Sequence, residues 1–312
     1  MSQYPIRNGL NLTLTALIVA MNLVAWVFAP YWFSTSGVLW FLLFDLIAIR
    51  LTNIHWHLIH EAAHGVLAQP RWLNELLGNV MSILFNSSFA ALRQGHLMHH
   101  RVNRIADVTD VYFEKGKPHT LAYYIDILGG FFLVFCFIFP LTSLFGKKNV
   151  LRIVAMMEKK NQNHPSIGLY QKTREIIVHS NVVRDTRSQI IWALLFMGIS
   201  LFVYLSHGLG LIWLGYFLVR AVFISYLNNM PHYRNSLNDN MASDTAYLPK
   251  VLARCYLNFN YHKTHHLHPR APWYVLPKLF QEANGEYDCH YIKAYLHQLR
   301  GPVYAEELPT SQ

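Results

Sequence analysis

The chain has 312 residues, of which 53% are hydrophobic and 14% are charged. A mean hydropathy of +0.19 is too high for an ordinary soluble domain of this size, which predicts that a lipid bilayer is its solvent. The formal net charge is +9, but the basic residues lie between apolar stretches, which disfavours a nucleic-acid partner. Cys136, Cys255 and Cys289 form no CxxC pair, so neither a disulfide framework nor a thiolate zinc site is indicated.

Four apolar stretches are long enough to form transmembrane helices. Because a helix rises about 1.5 Å per residue, roughly 20 apolar residues cross the hydrocarbon core of a bilayer. The predicted spans are residues 12–33, 38–54, 190–205 and 209–227. Short polar connections join the first two spans and the last two, so we predict two helical hairpins in a single all-α integral membrane domain, residues 1–312. The first stretch is too long for the core of a signal peptide, so we expect it to remain as an anchor.

A fifth apolar stretch, residues 121–145, is interrupted by Gly129, Gly130 and Pro140. The segment that follows it, residues 147–187, contains nine lysines and arginines, which the positive-inside rule assigns to the cytosol. The segment after the first hairpin is also basic. We therefore predict that the fifth stretch is re-entrant or interfacial, and that both termini are cytosolic.

Nine of the 18 histidines fall into four short motifs. The first is the HxxxH motif at residues 60–64, where a helix would place both imidazoles on one face. Two HxxHH motifs, at residues 96–100 and 262–266, each place three imidazoles on one side of a helix. The fourth motif is Asn-xxx-His at residues 228–232, after the last predicted span. The candidate metal ligands are His60, His64, His96, His99, His100, His232, His262, His265 and His266.

The number and type of these side chains predict the kind of metal site. Neutral imidazole suits iron, copper and zinc, and eight or nine nitrogen ligands are too many for a single ion. A structural zinc site needs only four ligands, and zinc has no redox chemistry. The motifs therefore indicate a pair of redox-active ions in a cytosolic helical cap, with the same histidines as metal ligands and catalytic residues.

The order HxxxH, HxxHH, Asn-xxx-His and HxxHH resembles the histidine boxes of the membrane fatty acid desaturase superfamily. The resemblance covers roughly residues 36–280 and includes the segments 103–110, 266–269 and 272–274. It implies that the nine histidines bind two iron ions and that Asn228 helps through a bound water. It further implies that the di-iron centre uses O2 to remove hydrogen from an unactivated C–H bond, so the expected function is fatty acyl desaturation.

The expected partners follow from this chemistry. Two electrons have to come from elsewhere, because the sequence contains neither the His-Pro-Gly-Gly motif of cytochrome b5 nor a cysteine cluster for an iron–sulfur centre. We therefore expect a separate electron donor of the ferredoxin or cytochrome b5 type, with its reductase. The expected substrate is an acyl lipid or another long apolar molecule that reaches a multi-pass membrane protein from the bilayer.

Other activities stay open at this point. A carotenoid ketolase or hydroxylase, or an alkane or fatty-acid hydroxylase, can use the same oxidant on a differently placed carbon. A membrane metalloprotease is a rival from another class, because residues 60–64 also read HExxH with Glu61 as the general base, although this leaves seven motif histidines without a role. A metal transporter or a haem cytochrome would need histidines at membrane depth or paired across spans.

Several other polar residues have competing interpretations. Asp107 and Asp110 are either hydrogen-bond acceptors for ligand imidazoles or parts of a turn. His57 is either a partner of the ligands or a solvated histidine at a helix end, and His268 is either close to the ligands or structural. Asp45 either lines a substrate channel or makes a neutral contact between helices. The remaining unpaired histidines are predicted to be ordinary surface or interface residues: His119, His164, His179, His207, His290 and His297.

Overall fold

A computed structural model describes residues 4–112 and 120–309 of the chain. Within this part, the side chains that it does not describe are those of residues 33–36, 38–42, 44, 45 and 49. The predictions for Asp45 and His119 therefore lie outside the described residues. Helices make up 71% of the structure. The α-helices are α1 (Asn8–Leu23), α2 (Ala29–Ser36), α3 (Val38–His64), α4 (Arg71–Leu84), α5 (Phe89–Val102), α6 (Thr120–Ile125), α7 (Phe139–Leu141), α8 (Lys147–Lys160), α9 (Ile167–His179), α10 (Val182–Ser206), α11 (Gly210–Asn229), α12 (Lys250–Cys255), α13 (His262–Leu267), α14 (Leu276–Glu282) and α15 (Tyr291–His297).

Among the described residues, four two-residue strands form two parallel pairs. β1 (Val111–Tyr112) pairs with β4 (Val303–Tyr304), and β2 (Ala246–Tyr247) pairs with β3 (Cys289–His290). The first strand of each pair lies close in sequence to a histidine motif, and its partner lies in the C-terminal part of the chain. Each pair therefore attaches the C-terminal part of the chain to a segment beside the candidate ligands.

Within the part of the chain that the structure describes, three helical segments are long and apolar enough to cross a membrane: Asn8–Trp32, Val182–Ser206 and Gly210–His232. The first of them contains α1, a π-helical turn at Val24–Phe28 and part of α2. The helix α3 has 27 residues, and at about 1.5 Å per residue its length is about 40 Å. The predicted mostly helical, membrane-compatible architecture is confirmed, although the helices are longer than the predicted spans, and α3 continues through the first histidine box.

Aromatic and polar contacts join the N-terminal helices to α10 and α11. The ring of Trp26 is fully buried, and its centroid lies 5.8 Å from that of Trp213 and 4.5 Å from that of Tyr216. The hydroxyl of Ser200 donates a hydrogen bond of 2.6 Å to the Trp26 carbonyl, and the indole of Trp213 donates one of 2.8 Å to Ser200. Hydrogen bonds between helices help association within a bilayer, so this cluster ties the N-terminal helices to α10 and α11.

Two further pairs of helices bend sharply within apolar sequence. α4 and α5 meet at 102°, and Thr120–Gly130 meets Phe132–Phe145 at 54°. The second pair contains the predicted re-entrant or interfacial stretch, and it breaks near Gly129, whose φ of +129° suits glycine best. The α4–α5 pair was not predicted from the sequence. If each bent pair is counted as one span, the candidate spans rise from three to five.

The basic segment after the second bent pair is helical, although it was predicted only as a cytosolic loop. It contains α8 and α9, and α10 begins in it at Val182. The two helices share a buried cluster formed by Val150 and Val154 of α8, Ile177 of α9 and Val183 of α10. The charged side chains of this segment therefore surround a small apolar core of its own.

Candidate metal centre

The first group of candidate ligands brings together three distant parts of the chain. The end of α3 provides two histidines, α5 provides two and α13 provides one, and the ligand nitrogens of all five lie within 4.8 Å of one another. Nε2 of His96 lies 2.7 Å from Nε2 of His64 and 3.1 Å from Nε2 of His100. Nε2 of His100 lies 3.0 Å from Nε2 of His265. The group consists of His60, His64, His96, His100 and His265.

The second group contains the other four candidate ligands. His99 comes from α5, His232 from the short turn after α11, and His262 and His266 from α13. Their ligand nitrogens also lie within 4.8 Å of one another. Nε2 of His232 lies 3.1 Å from Nε2 of His99 and 2.9 Å from Nε2 of His262. All nine histidines of the four motifs are thus brought together.

The two groups lie side by side because each HxxHH motif is divided between them. In α5, His96 and His100 belong to the first group and His99 to the second. The helix α13 is divided in the same way, with His265 in the first group and its other two histidines in the second. The rings of His100 and His266, one from each group, have centroids 4.3 Å apart. Adjacent side chains on two short helical segments therefore create two neighbouring nitrogen clusters.

Both donor sets fit metal ions. Imidazole nitrogens bind zinc at about 2.0–2.1 Å, so two nitrogens on one ion stand roughly 3 Å apart when their bonds are perpendicular. The closest Nε2–Nε2 distances within the groups are 2.7 to 3.2 Å. Nε2 of His60 is buried and has no hydrogen-bond partner among the described residues, which is costly unless another group binds it. Each group could therefore hold one metal ion.

Burial keeps the imidazoles of α13 in the form that binds metals. It lowers the pKa of His266 from 6.5 to about 3, and the neighbouring His99 adds to this effect. Burial also lowers the pKa of His262 and of His265 well below 6.5, and nearby histidines are the second cause. Metals bind neutral imidazole, so these side chains need not lose a proton to bind a cation at neutral pH.

A model of a known protein family matches most of the chain. The model described as fatty acid desaturase matches residues 36–297. The chain belongs to the fatty acid desaturase family. The match contains all four histidine motifs and confirms the resemblance seen in the sequence; family membership also implies an oxidoreductase. A search of curated proteins finds no match.

In this member of the desaturase family, a carboxylate orients one histidine of the second group. Oδ2 of Asp107 lies 2.7 Å from Nδ1 of His99. It accepts a hydrogen bond when Nδ1 carries the proton, and this tautomer leaves Nε2 for a metal. The interpretation of Asp107 as an acceptor for a candidate ligand is confirmed.

Asp110 has different partners. Its carboxylate is buried, lies 2.5 Å from the guanidinium of Arg104 and accepts the backbone N–H of Arg234 at 2.6 Å. The alternative in which Asp110 binds a ligand imidazole is therefore wrong. Since Arg234 follows His232 closely, Asp110 instead joins the segment after the second box to the segment after the last long helix.

Glu61 binds the backbone of the segment that follows the third box. Its side chain is 3% exposed, and Oε2 accepts the N–H of Trp273 at 3.0 Å. The indole of Trp273 in turn donates a hydrogen bond of 3.2 Å to Asn11 of α1. Glu61 therefore holds the first and third boxes in a fixed relation, as expected of a residue outside the ligand set.

Other polar residues near the boxes differ in their surroundings. His57 is 3% exposed and stacks on Phe259 with ring centroids 4.0 Å apart. Its interpretation as a solvated helix-end histidine is wrong, because α3 continues past it within the protein interior. His268 is exposed at the end of α13. Asn228 is half-buried in the last turn of α11, just before the turn that carries His232.

One aromatic residue of the site was missed by motif analysis. The ring centroid of Phe259 lies 4.5 Å from that of His262 and 5.3 Å from that of His60, so it forms an apolar wall between the first and third boxes. Its position three residues before the third box was the available signal. The surface or interface histidines that the structure describes are half-buried or exposed, as predicted: His164, His179, His207, His290 and His297.

Proposed function

We propose that the chain binds two iron ions in the two histidine groups and uses O2 to introduce a double bond into a fatty acyl chain. The observation that carries the proposal is the convergence of nine histidines, from four separate segments, into two adjacent groups. Desaturation removes two hydrogens from the acyl chain. Together with O2, two electrons and two protons from solution, it yields the alkene and two water molecules.

The two irons would have separate ligand sets. The first would be held by His60, His64, His96, His100 and His265, and the second by His99, His232, His262 and His266, with Asn228 helping through a bound water. When bound, such a pair supplies the oxidising power that an unactivated C–H bond requires. The protein presents neutral imidazoles at fixed positions and holds a substrate carbon beside them. Which carbon is held nearest decides between desaturation, hydroxylation and ketolation.

The metalloprotease alternative is disfavoured by the contacts of Glu61. A general base needs a carboxylate that is available to the reacting group, whereas Glu61 is buried and accepts the backbone N–H of Trp273 at 3.0 Å. A protease site would also use only the first box and would leave the second group of histidines without a function.

The proposed topology is multi-pass, with four spans and with both termini and the metal centre in the cytosol. Both α3 and α11 end at the histidines, so their hairpin partners α1 and α10 would start on the same side. The amide of Asn8 donates a hydrogen bond of 2.7 Å to the carbonyl of Gln69, just after the first box. The backbone N–H of Arg7 donates one of 2.9 Å to the hydroxyl of Tyr274, just after the third.

The second bent pair, residues 120–145, is proposed to be re-entrant. Near its start, Tyr123 shares a buried cluster with Tyr226, at the end of α11 close to the histidines. Further on, the ring of Phe137 lies 5.6 Å from that of Phe217, which is deeper along α11. The following helix, α8, then packs against the start of α10. The segment thus goes into the helical bundle and returns on the side of the basic helices.

The proposed substrate is an acyl lipid or another long apolar molecule that enters from the bilayer. Membership of the desaturase family and the exposed apolar helices support it. The electrons are proposed to come from a separate donor of the ferredoxin or cytochrome b5 type with its reductase, because the reaction consumes two electrons per double bond.

The decisive experiment is expression with a desaturase-competent redox system, followed by mass spectrometry of lipids and acids. Iron analysis of the purified chain accompanies it. Loss of two hydrogens from an acyl chain, with two irons per chain, is the expected result. A gain of one oxygen would reassign the chain to the hydroxylases or ketolases, and an active protein without iron would overturn the di-iron assignment.

A further inference from the structure

Arg220 carries a charge into the middle of α11, within a candidate membrane span, and its side chain is 1% exposed. Among the described residues it has no carboxylate partner. NH1 donates to the carbonyl of Leu84 at 3.1 Å and to Oδ1 of Asn86 at 3.2 Å, and NH2 donates to Oδ1 of Asn22 at 2.7 Å. A charged side chain inside a bilayer is costly and usually functional. The positions of the neutral groups that accept hydrogen bonds from the guanidinium therefore indicate what the charge contributes.

Three aromatic rings complete the surroundings of the guanidinium. Its Cζ lies 4.8 Å from the ring centroid of Trp26, 5.2 Å from that of Phe85 and 5.6 Å from that of Tyr216. Cation–π attraction strengthens when water is excluded, so these rings offset part of the lost hydration. The neutral acceptors and the aromatic rings together stabilise the cation, and the guanidinium itself occupies the space between them.

Two of the acceptors, the carbonyl of Leu84 and the amide of Asn86, lie at the corner between α4 and α5, where the helices meet at 102°. The last carbonyls of a helix have no partner within it and carry partial negative charge. A buried corner therefore needs donors from other parts of the chain. Arg220 supplies two of them, and Nε2 of His55 supplies another to the carbonyl of Met81 at 2.8 Å.

The angle of the α4–α5 corner determines the direction of α5. Ser88 caps α5 by accepting the N–H of Ala91 at 3.2 Å, and α5 then carries His96, His99 and His100. At about 1.5 Å per residue these lie about 10 to 17 Å beyond the first residue of α5, so a rotation of about 5° at the corner moves their rings by roughly 1 Å. A displacement of this size is enough to spoil a constellation of ligands.

The same cluster also contacts the helices that carry the other boxes. His55 precedes His60 on α3, and Arg220 lies on α11, before the short turn that carries His232. Asn22 of α1 joins the two by hydrogen bonds to His55 at 3.2 Å and to Arg220 at 2.7 Å. We propose that Arg220 is a positioning residue: its guanidinium fixes the α4–α5 corner so that the second histidine box meets the first and the third. This inference rests on the proposed metal centre.

The test uses Co2+ alone as the probe, added to the metal-free full chain in detergent. Its readouts are the stoichiometry, the affinity and the visible absorption spectrum, which reports the coordination of Co2+. In Arg220→Met, a change that keeps an unbranched side chain but removes the charge and the donors, we expect about a tenfold or larger loss of affinity in both groups and an altered spectrum. Arg220→Lys restores the charge with fewer donors, so we expect an intermediate affinity.

The matched control is Tyr204→Phe. Tyr204 is fully buried in α10 and donates a hydrogen bond to the carbonyl of Ala25, so this variant loses a buried interhelical hydrogen bond but none of those that Arg220 makes to Asn22, Leu84 and Asn86. We expect a lower thermal midpoint with unchanged Co2+ affinity and spectrum. If Arg220→Met does not fold, Asn86→Gly removes a corner acceptor at a position where φ is +65°, which glycine tolerates.

Two results would overturn the inference. One is wild-type affinity and spectrum in Arg220→Met, or in Asn86→Gly when that variant replaces it. The other is an equal loss of Co2+ affinity in Tyr204→Phe, since Arg220 would then contribute only to general stability. A wild-type chain that binds no Co2+ would instead refute the proposed metal centre, so the two failures are distinguishable.

Discussion

The second and third histidine boxes share the HxxHH spacing but are supported in different ways. The second lies on α5, a helix of 14 residues, whereas the third lies on α13, which has only six. A six-residue helix is not stable by itself. The third box depends on bonds between its flanking segments, such as the 3.1 Å hydrogen bond from the amide of Asn258 to the carbonyl of Trp273. Equal ligand spacing thus does not require equal scaffolding.

The largest effects are expected from variants that remove ligands of the third box. His265→Ala and His266→Ala truncate adjacent residues that belong to different groups. We expect both to abolish turnover, with iron lost first from the group that contains the truncated residue, while membrane insertion is retained. Iron content and product formation in purified protein measure this. Full activity in both variants would contradict the assignment of these histidines as ligands.

The second largest effect concerns the support of the third box by Glu61. Glu61→Ala leaves the buried N–H of Trp273 without its acceptor, which typically costs about 1–3 kcal/mol of unfolding free energy. We expect lower stability and lower iron content in this variant. Glu61→Gln keeps a carbonyl acceptor and should remain active. Complete loss of activity in Glu61→Gln with normal iron content would favour a general-base role.

For the second box, Asp107→Ala tests the orientation of one ligand. The carboxylate lies 2.7 Å from Nδ1 of His99, and loss of such a partner typically lowers metal affinity about 10- to 100-fold. We expect the larger loss of affinity in the second group and a smaller loss in the first. Co2+ titration measures both, with Asp185→Ala, which truncates an exposed carboxylate on α10, as the control. Equal weakening of both groups would argue against a local role.

The last prediction is a pH dependence of stability in the segment that precedes the third box. Burial raises the pKa of Asp244 from 3.8 to about 7, and Asp288 is the second cause. The folded chain therefore holds more protons than the unfolded chain, so the unfolding free energy decreases as pH rises from about 4 through 7. Asp244→Asn should remove this decrease. Thermal midpoints at about pH 5 and pH 8 measure it, and identical slopes in both proteins would disprove it.

The histidines that meet in the two groups could be singled out from the sequence because their spacing is a local property of helices. Whenever these segments are helical, His60 and His64 share one face of the helix, and so do His96 and His100. Which histidines form one group could not be predicted, because His99 joins His232 across 133 residues of chain. Two HxxHH motifs alone are compatible with several groupings.

The supports were less predictable because they depend on distant contacts. The α4–α5 corner involves a hydrogen bond from Arg220 to Leu84 over 136 residues of chain. From the sequence, Asp107 and Asp110 were equivalent candidates for accepting a hydrogen bond from a ligand imidazole. The structure distinguishes them, because Asp107 contacts His99 whereas Asp110 is paired with Arg104 and with the distant backbone of Arg234. Long-range contacts of single side chains leave no periodic signal in one sequence.

The division of each HxxHH motif between the two groups makes the centre a single unit of assembly. Because α5 and α13 each contribute nitrogens to both groups, an ion bound in one group would order the helices that build the other. We therefore expect metal loading to be cooperative, and hybrids that carry two different metals to be difficult to prepare by sequential addition. Inserting one residue within either helix would shift side chains out of both clusters at once.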